Sequence, residues 1–145
     1  HGADRDALAG LRVADAYDRS AAVLAEGAVM LDFLRTLGRG NQMVFPVVDD
    51  DRLLIGVVAL ADLGDVAAGA GSLGQLIVAA DVARPTETVT PHDSLLDAVR
   101  KMGVRGADAV PVVDGPAGGY LGLITRSQVL SLYERAVTRS RMDAD

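Results

Sequence analysis

A chain of 145 residues with a formal charge of −6, 50% hydrophobic and 3% aromatic, can bury one core or two small ones built from Val, Leu, Ile and Ala. Its negative balance excludes an electrostatic grip on nucleic acid, whose phosphates need a concentrated basic surface. There is no cysteine, which excludes disulfides, thiolate metal sites and cysteine nucleophiles and permits a reducing compartment.

The longest apolar run, Leu53 to Ala61, is far short of the ~20 residues a membrane helix needs, so direct membrane insertion is not expected. The polar start His1-Gly2-Ala3-Asp4-Arg5-Asp6 has no signal-peptide pattern. It lacks an initiating methionine, and the expectation is a piece of a larger protein.

Residues 1–12 read as a connecting segment from an upstream region, with only Leu8 and Leu11 to dock it. Packed structure begins at Val13, and Val23-Leu24 is a short strand. Apolar residues at Val29, Met30, Phe33, Leu34 and Leu37 recur at helical spacing, predicting a helix over 28–37 that Gly38 and Gly40 stop. A hairpin follows, 44–48 and 53–60, turning over Asp49-Asp50-Asp51-Arg52, and then a short helix over 61–68. Gly69 to Gly74 reads as a linker, with the full inter-repeat linker spanning 69–78.

The same order then restarts. Thr88-Val89 is a short strand, Thr90 caps a helix with Pro91 in its first turn and Asp93 completing a capping box, and Leu95, Leu96, Val99 and Met102 form the buried stripe. Gly103 and Gly106 close that helix. A second hairpin, 109–113 and 120–124, turns over Gly115-Pro116-Ala117-Gly118-Gly119. A last helix runs from about Ser127 to Val137, and residues 138–145 form a polar, frayed tail.

The repetition has a fixed register. Pro46 and Pro111, Asp49 and Asp114, Asp32 and Asp97, and Gly38 and Gly103 are all 65 apart (111 − 46 = 65), and beyond the hairpin turn the offset becomes 66 (122 − 56 = 66). One register across helix and strand identifies a duplication, with one residue added in the second turn. The predicted class is α/β (α+β): tandem β-α-β-β-α repeats, 13–68 and 79–137, related by a pseudo-twofold. Two small sheets are packed together and flanked by helices, with two pseudo-equivalent sites in the cleft.

The strand Phe45-Pro46-Val47-Val48-Asp49 and its copy Val110-Pro111-Val112-Val113-Asp114, each followed by a glycine-containing strand and a helix, resemble a CBS domain pair, or Bateman module. The flanks, notably Leu76 to Ala83 and Thr125-Arg126-Ser127-Gln128-Val129-Leu130, look most like the cytoplasmic pair that follows the membrane domain of bacterial CLC-type chloride channels and transporters. That resemblance implies a regulatory, non-enzymatic module at the inner face of the membrane. Its partners would be a second copy, joined through helical faces into a flat disc, and the parent transport domain. It also implies AMP, ADP or ATP as ligand, held by a Ser/Thr-x-x-Asp element at the end of the glycine-containing strand.

Neither copy of that element is complete. The first repeat has Ala59-Leu60-Ala61-Asp62, with the acid and no hydroxyl; the second has Thr125-Arg126-Ser127-Gln128, with the hydroxyl and an amide in place of the acid. The implied ligand residues are Thr125, Arg126, Gln128, Val110 and Pro111 in the second repeat, and Asp62, Phe45 and Pro46 in the first. Gln128 can accept one hydrogen bond from a ribose and Arg126 can reach a phosphate, which favours the second site. Each also has a structural reading: Thr125 as a helix cap, Asp62 as a cap or solvated acid, Arg126 as a surface charge. The rival functions are an adenosine-ligand energy sensor, free-standing or attached to a soluble enzyme, and a purely structural dimerisation module.

Other signals have simpler readings. Gly69-Ala70-Gly71-Ser72-Leu73-Gly74 fits a dinucleotide fingerprint but follows an expected helix instead of a strand. Asp49-Asp50-Asp51 reads as a turn, and His1 and His92 have no catalytic or metal-binding partner in the sequence.

Overall fold

The computed structural model describes residues 2–68 and 71–144. The chain opens with helix α1 (Gly2–Gly10), a 3-10 turn at Val13–Asp15, strand β1 (Leu24–Ala25) and helix α2 (Met30–Thr36). Strands β2 (Val44–Val48) and β3 (Leu54–Ala59) follow, then a 3-10 turn at Leu60–Leu63 and helix α3 (Gly64–Ala67). The short helices α4 (Gly71–Gly74) and α5 (Ala79–Val82) lead to helix α6 (Leu95–Arg105), strand β4 (Ala109–Asp114), a 3-10 turn at Gly115–Ala117, strand β5 (Gly119–Thr125) and helix α7 (Arg126–Ala144). This is the mixed α/β class expected, with two small sheets flanked by helices.

Two compact units interleave along the chain. The β2–β3 unit takes 20–86 and 117–120; the β4–β5 unit takes 1–19, 87–116 and 121–145. In the β2–β3 unit the sheet order is β1-β2-β3, with β1 parallel to β2 at Leu24 and Val47, and β2 antiparallel to β3 at Phe45 and Val58. The free side of β3 is taken by Arg84, whose N–H donates to the Val57 carbonyl at 2.8 Å while the Val57 N–H donates back at 3.0 Å. The inward residues Leu24, Met30, Phe45, Val47, Val58, Leu63, Val66 and Ala79 make its core, with the Phe33 and Phe45 rings edge to face at 4.9 Å.

The β4–β5 unit follows the same plan. Val89 bridges Val112 of β4 in parallel, and Asp18 bridges Leu123 of β5 antiparallel. Its core is Val13, Val89, Leu95, Ala98, Met102, Val110, Val112, Ile124 and Val129. Each unit therefore borders its hairpin with the extended segment that precedes the other repeat in sequence. A glycine permits that approach in both. A Cβ on Gly56 would stand 2.7 Å from the Arg84 carbonyl oxygen, and one on Gly122 would stand 2.5 Å from that of Asp18 and 2.6 Å from the Tyr17 ring.

Several elements differ from the sequence reading. Residues 2–10 form a helix where no element was expected; it packs on α6 and α7, with the Tyr133 hydroxyl donating to Asp4. The cap of α6 is Ser94 and not Thr90: Ser94 Oγ accepts from Asp97 N–H at 3.1 Å and Asp97 Oδ2 accepts from Ser94 N–H at 3.0 Å. Asp93 instead closes a turn, accepting from Thr90 N–H at 2.8 Å. Gly103 lies inside α6, and the stop falls at Gly106, whose φ of 63° suits glycine. Helix α7 continues to Ala144 because Thr138 to Ala144 contains neither Gly nor Pro to break it. The helix expected over 61–68 begins as a 3-10 turn at Leu60–Leu63 before continuing as α3, and the strand expected at Thr88-Val89 is a single bridge at Val89.

Gly69 and Ala70 of the glycine-rich stretch lie outside the described residues; Gly71–Gly74 is helical. The Asp49 carboxylate accepts from the N–H groups of Asp51 and Leu53 at 2.8 and 2.9 Å, a turn as expected. Among the described residues no acidic or histidine cluster could hold a metal ion, and no helix is long and apolar enough to cross a membrane.

Candidate functional site

In the β4–β5 unit the chain leaves β5 at Thr125 and turns directly into α7. Thr125 and Gln128 are reciprocally bonded: the Gln128 N–H donates to Thr125 Oγ1 at 3.2 Å, and the Thr125 N–H donates to Gln128 Oε1 at 2.8 Å. This is capping-box geometry with glutamine as its third-position member. Thr125 Oγ1 and Ser127 Oγ are 3.1 Å apart, so two hydroxyls sit at the positive end of a 19-residue helix. Arg126 is tied to the loop ahead of β4. Its N–H donates to the Asp108 carbonyl at 2.8 Å, and its Nε lies 3.3 Å from Asp108 Oδ1.

Val110 and Pro111 belong to the packed interior of the unit. The Val110 side chain is part of the hydrophobic core, and Pro111 is buried with its carbonyl accepting from Val89 N–H at 3.1 Å. The polar surface at the start of α7 is therefore Thr125, Ser127, Gln128 and the half-exposed guanidinium of Arg126. Such a surface can donate to an oxyanion, but its one obvious acceptor, Gln128 Oε1, is already engaged.

In the β2–β3 unit the corresponding turn runs from Ala59 into the 3-10 segment carrying Asp62. The Asp62 carboxylate pairs with Arg84, Oδ2 to Nη1 at 3.3 Å. Phe45 is in the core against Phe33, and Pro46 is buried. The residues that the sequence reading missed are the partners: Asp108 for Arg126, Arg84 for Asp62, and Asp18, which stands on β5 where Arg84 stands on β3. The repeat register does not signal the last pair, because Asp18 and Arg84 are 66 apart (84 − 18 = 66) whereas the register ahead of the hairpin turns is 65.

A groove of about 220 Å³ lies beside this turn, lined by Asp4, Leu8, Val99, Arg126, Val129, Leu130 and Tyr133. The Asp4 carboxylate at its edge raises the pKa of Tyr133, because a nearby acceptor and negative charge favour the protonated phenol.

The class of the chain follows from this duplicated architecture. The CBS-domain family model matches residues 78–135. Among solved structures, the CBS domains of a transcriptional regulator from Streptococcus pneumoniae superpose with a TM-score of 0.70 at 24% identity, over 84% of this chain and 98% of that one. The CBS domain of a bacterial CNNM/CorC family Mg²⁺ transporter in complex with ATP gives 0.75 at 19% identity, over 88% of this chain and 90% of that one. The fold is that of a CBS-domain pair. In sequence the chain is 26% identical over 129 residues to a homoserine O-acetyltransferase from Methanosphaera stadtmanae, covering 88% of this chain and 25% of that protein. It thus spans only a quarter of the length of that relative.

Proposed function

We propose that the chain is a regulatory CBS-pair module that binds an adenosine nucleotide at the β5–α7 turn and biases the conformation of a larger protein. The observation that carries this reading is the pair of hydroxyls, Thr125 and Ser127, at the N-terminus of α7. It offers donors for a phosphate or ribose at the place where the Ser/Thr-x-x-Asp element of the resemblance falls. The solved transporter CBS domain that carries ATP has the same fold. Thr125, Ser127, Gln128 and Arg126 would meet the ligand, with Val110 and Pro111 forming the strand behind them. In the β2–β3 unit, Asp62, Phe45 and Pro46 mark the weaker counterpart, since Ala59 offers no hydroxyl.

The partner proposed is the membrane transport domain of a CLC-type chloride channel or transporter, with the module on the cytoplasmic side and dimerised through exposed helical residues such as Val104 of α6 and Leu130 of α7. This rests on the flanking sequences described above. A second reading, attachment to a soluble enzyme, is favoured by the match to the O-acetyltransferase. In either setting a ligand shifts the parent protein only by its difference in affinity for the two states.

Thermal melting of the chain against AMP, ADP and ATP tests the binding. A ligand at ~100 Kd should stabilise the chain by about 2.7 kcal/mol, read as a rise of several degrees in Tm. Thr125→Ala should abolish that rise and Thr125→Ser should retain it, because serine keeps both the cap and the hydroxyl. No rise with any of the three at millimolar concentration refutes nucleotide binding.

A further inference from the structure

We infer that Asp108 is a specificity-determining residue of the proposed nucleotide site. Its carboxylate competes with ligand phosphate for the Arg126 guanidinium, so that the β5–α7 turn favours a nucleoside monophosphate over a triphosphate. This deepens the proposed nucleotide site and rests on it.

Asp108 stands just ahead of β4, and two bonds join it to the first residue of α7. The Arg126 N–H donates to its carbonyl at 2.8 Å, and Arg126 Nε lies 3.3 Å from its Oδ1. The Asp108 side chain is 88% exposed and that of Arg126 46%, so the pair is open to a ligand. A phosphate that approaches this guanidinium meets the carboxylate beside it. An ion pair this exposed adds little to the stability of a fold, which removes the simplest structural reason for its presence.

The duplicated unit keeps the backbone bond and drops both charges. Met43 and Leu60 are the counterparts of Asp108 and Arg126 in the repeat register (108 − 43 = 65, 126 − 60 = 66), and the Leu60 N–H donates to the Met43 carbonyl at 2.9 Å. The turn therefore forms without either charge. Acid and base occur together in the unit that carries the Thr125 and Ser127 hydroxyls, and are replaced together in the unit that carries Ala59 and Ala61 at those positions. The charged pair thus accompanies the hydroxyls that would meet a phosphate, and not the backbone geometry that both units share. Paired, the two side chains add no net charge to the turn. Each further phosphate brings negative charge to an arginine already compensated and next to a carboxylate, a repulsion that grows with the charge of the ligand.

Isothermal titration calorimetry of the 145-residue chain with AMP and with ATP tests this, in magnesium-free buffer of low ionic strength so that charges are little screened. Wild type should bind AMP at least as tightly as ATP. Asp108→Asn keeps an acceptor for Arg126 and removes the charge; it should tighten AMP about twofold and ATP about fivefold, the range of exposed charge pairs. Arg126→Gln should weaken both ligands, ATP more than AMP. Asp15→Asn, at an exposed acid of the same unit, makes the same change in net charge and should leave the ratio of the two affinities unaltered. Tighter binding of ATP than of AMP by wild type, an unchanged ratio in Asp108→Asn, or an equal loss of both ligands in Arg126→Gln overturns the inference while leaving nucleotide binding intact. No binding of either nucleotide by wild type overturns both. Should Asp108→Asn not fold, the preference of wild type and the response of Arg126→Gln still decide.

Discussion

The β2–β3 and β4–β5 units share a plan and differ in how each position is finished. Leu24 on Val47 and Val89 on Val112 are the same parallel contact. Arg84 on Val57 and Asp18 on Leu123 are the same antiparallel one. Gly56 and Gly122 admit those neighbours alike. The units part at Val29 and Ser94, Ala59 and Thr125, Asp62 and Gln128, Arg84 and Asp18, all at the starts of helices or facing them. Backbone approach and core packing tolerate little change within a duplicated fold, because interiors are close-packed. Polar helix starts are free to diverge, and the divergence separates a turn rich in hydroxyl groups from one closed by an ion pair.

The largest test of the shared plan lies in the cores. Met30 and Leu95 are counterparts and both fully buried, so Met30→Ala and Leu95→Ala should each cost about 2–5 kcal/mol in urea denaturation. A loss confined to one of them would break the equivalence. Next come the glycines: Gly56→Ala and Gly122→Ala should each cost about 1–3 kcal/mol through overpacking. Gly122 should suffer more, because its Cβ meets the Tyr17 ring as well as the Asp18 backbone. Equal melting of Gly122→Ala and wild type would contradict the strand border assigned to β5.

The smallest effect sharpens the difference between the units. Ser94→Ala removes a side-chain cap and should cost about 0.5–2 kcal/mol, whereas its counterpart Val29 makes no cap hydrogen bond and Val29→Ala should lose no cap energy. The pKa of Asp97 is lowered, first by the Ser94 backbone N–H and then by the Ser94 hydroxyl, with Arg100 and Lys101 adding to it. A depressed carboxylate stabilises the fold above its unfolded pKa and loses that contribution as pH falls through the folded value. The stability gap between wild type and Asp97→Asn should therefore be present at neutral pH and shrink below about pH 4. A gap that stays constant into acid would show that the carboxylate charge contributes nothing.

The hairpins and the duplication were legible because strand patterns and a fixed offset survive in single residues: Pro46 with Pro111, Asp49 with Asp114, Gly56 with Gly122. The N-terminal helix was hidden because its burial depends on α6 and α7; Leu8 and Leu11 alone give no stripe. The cap was misplaced because Thr90-x-x-Asp93 and Ser94-x-x-Asp97 carry the same signal in succession, and both close hydrogen-bonded turns. Only packing selects Ser94, whose following residue Leu95 is fully buried and donates its N–H to the Leu11 carbonyl at 2.9 Å. At the candidate site Thr125 and Gln128 were found from the motif. Asp18, Arg84 and Asp108 were not, since strand borders and loop partners come from elsewhere in the chain.

The account turns on a nucleotide seated at the β5–α7 turn, and amide chemical-shift mapping with AMP tests this most directly. The account predicts saturable shifts at Asp108 and Thr125 to Gln128, with Asp62 and Arg84 unmoved. No shift at millimolar AMP, or shifts confined to Asp62 and Arg84, would contradict it.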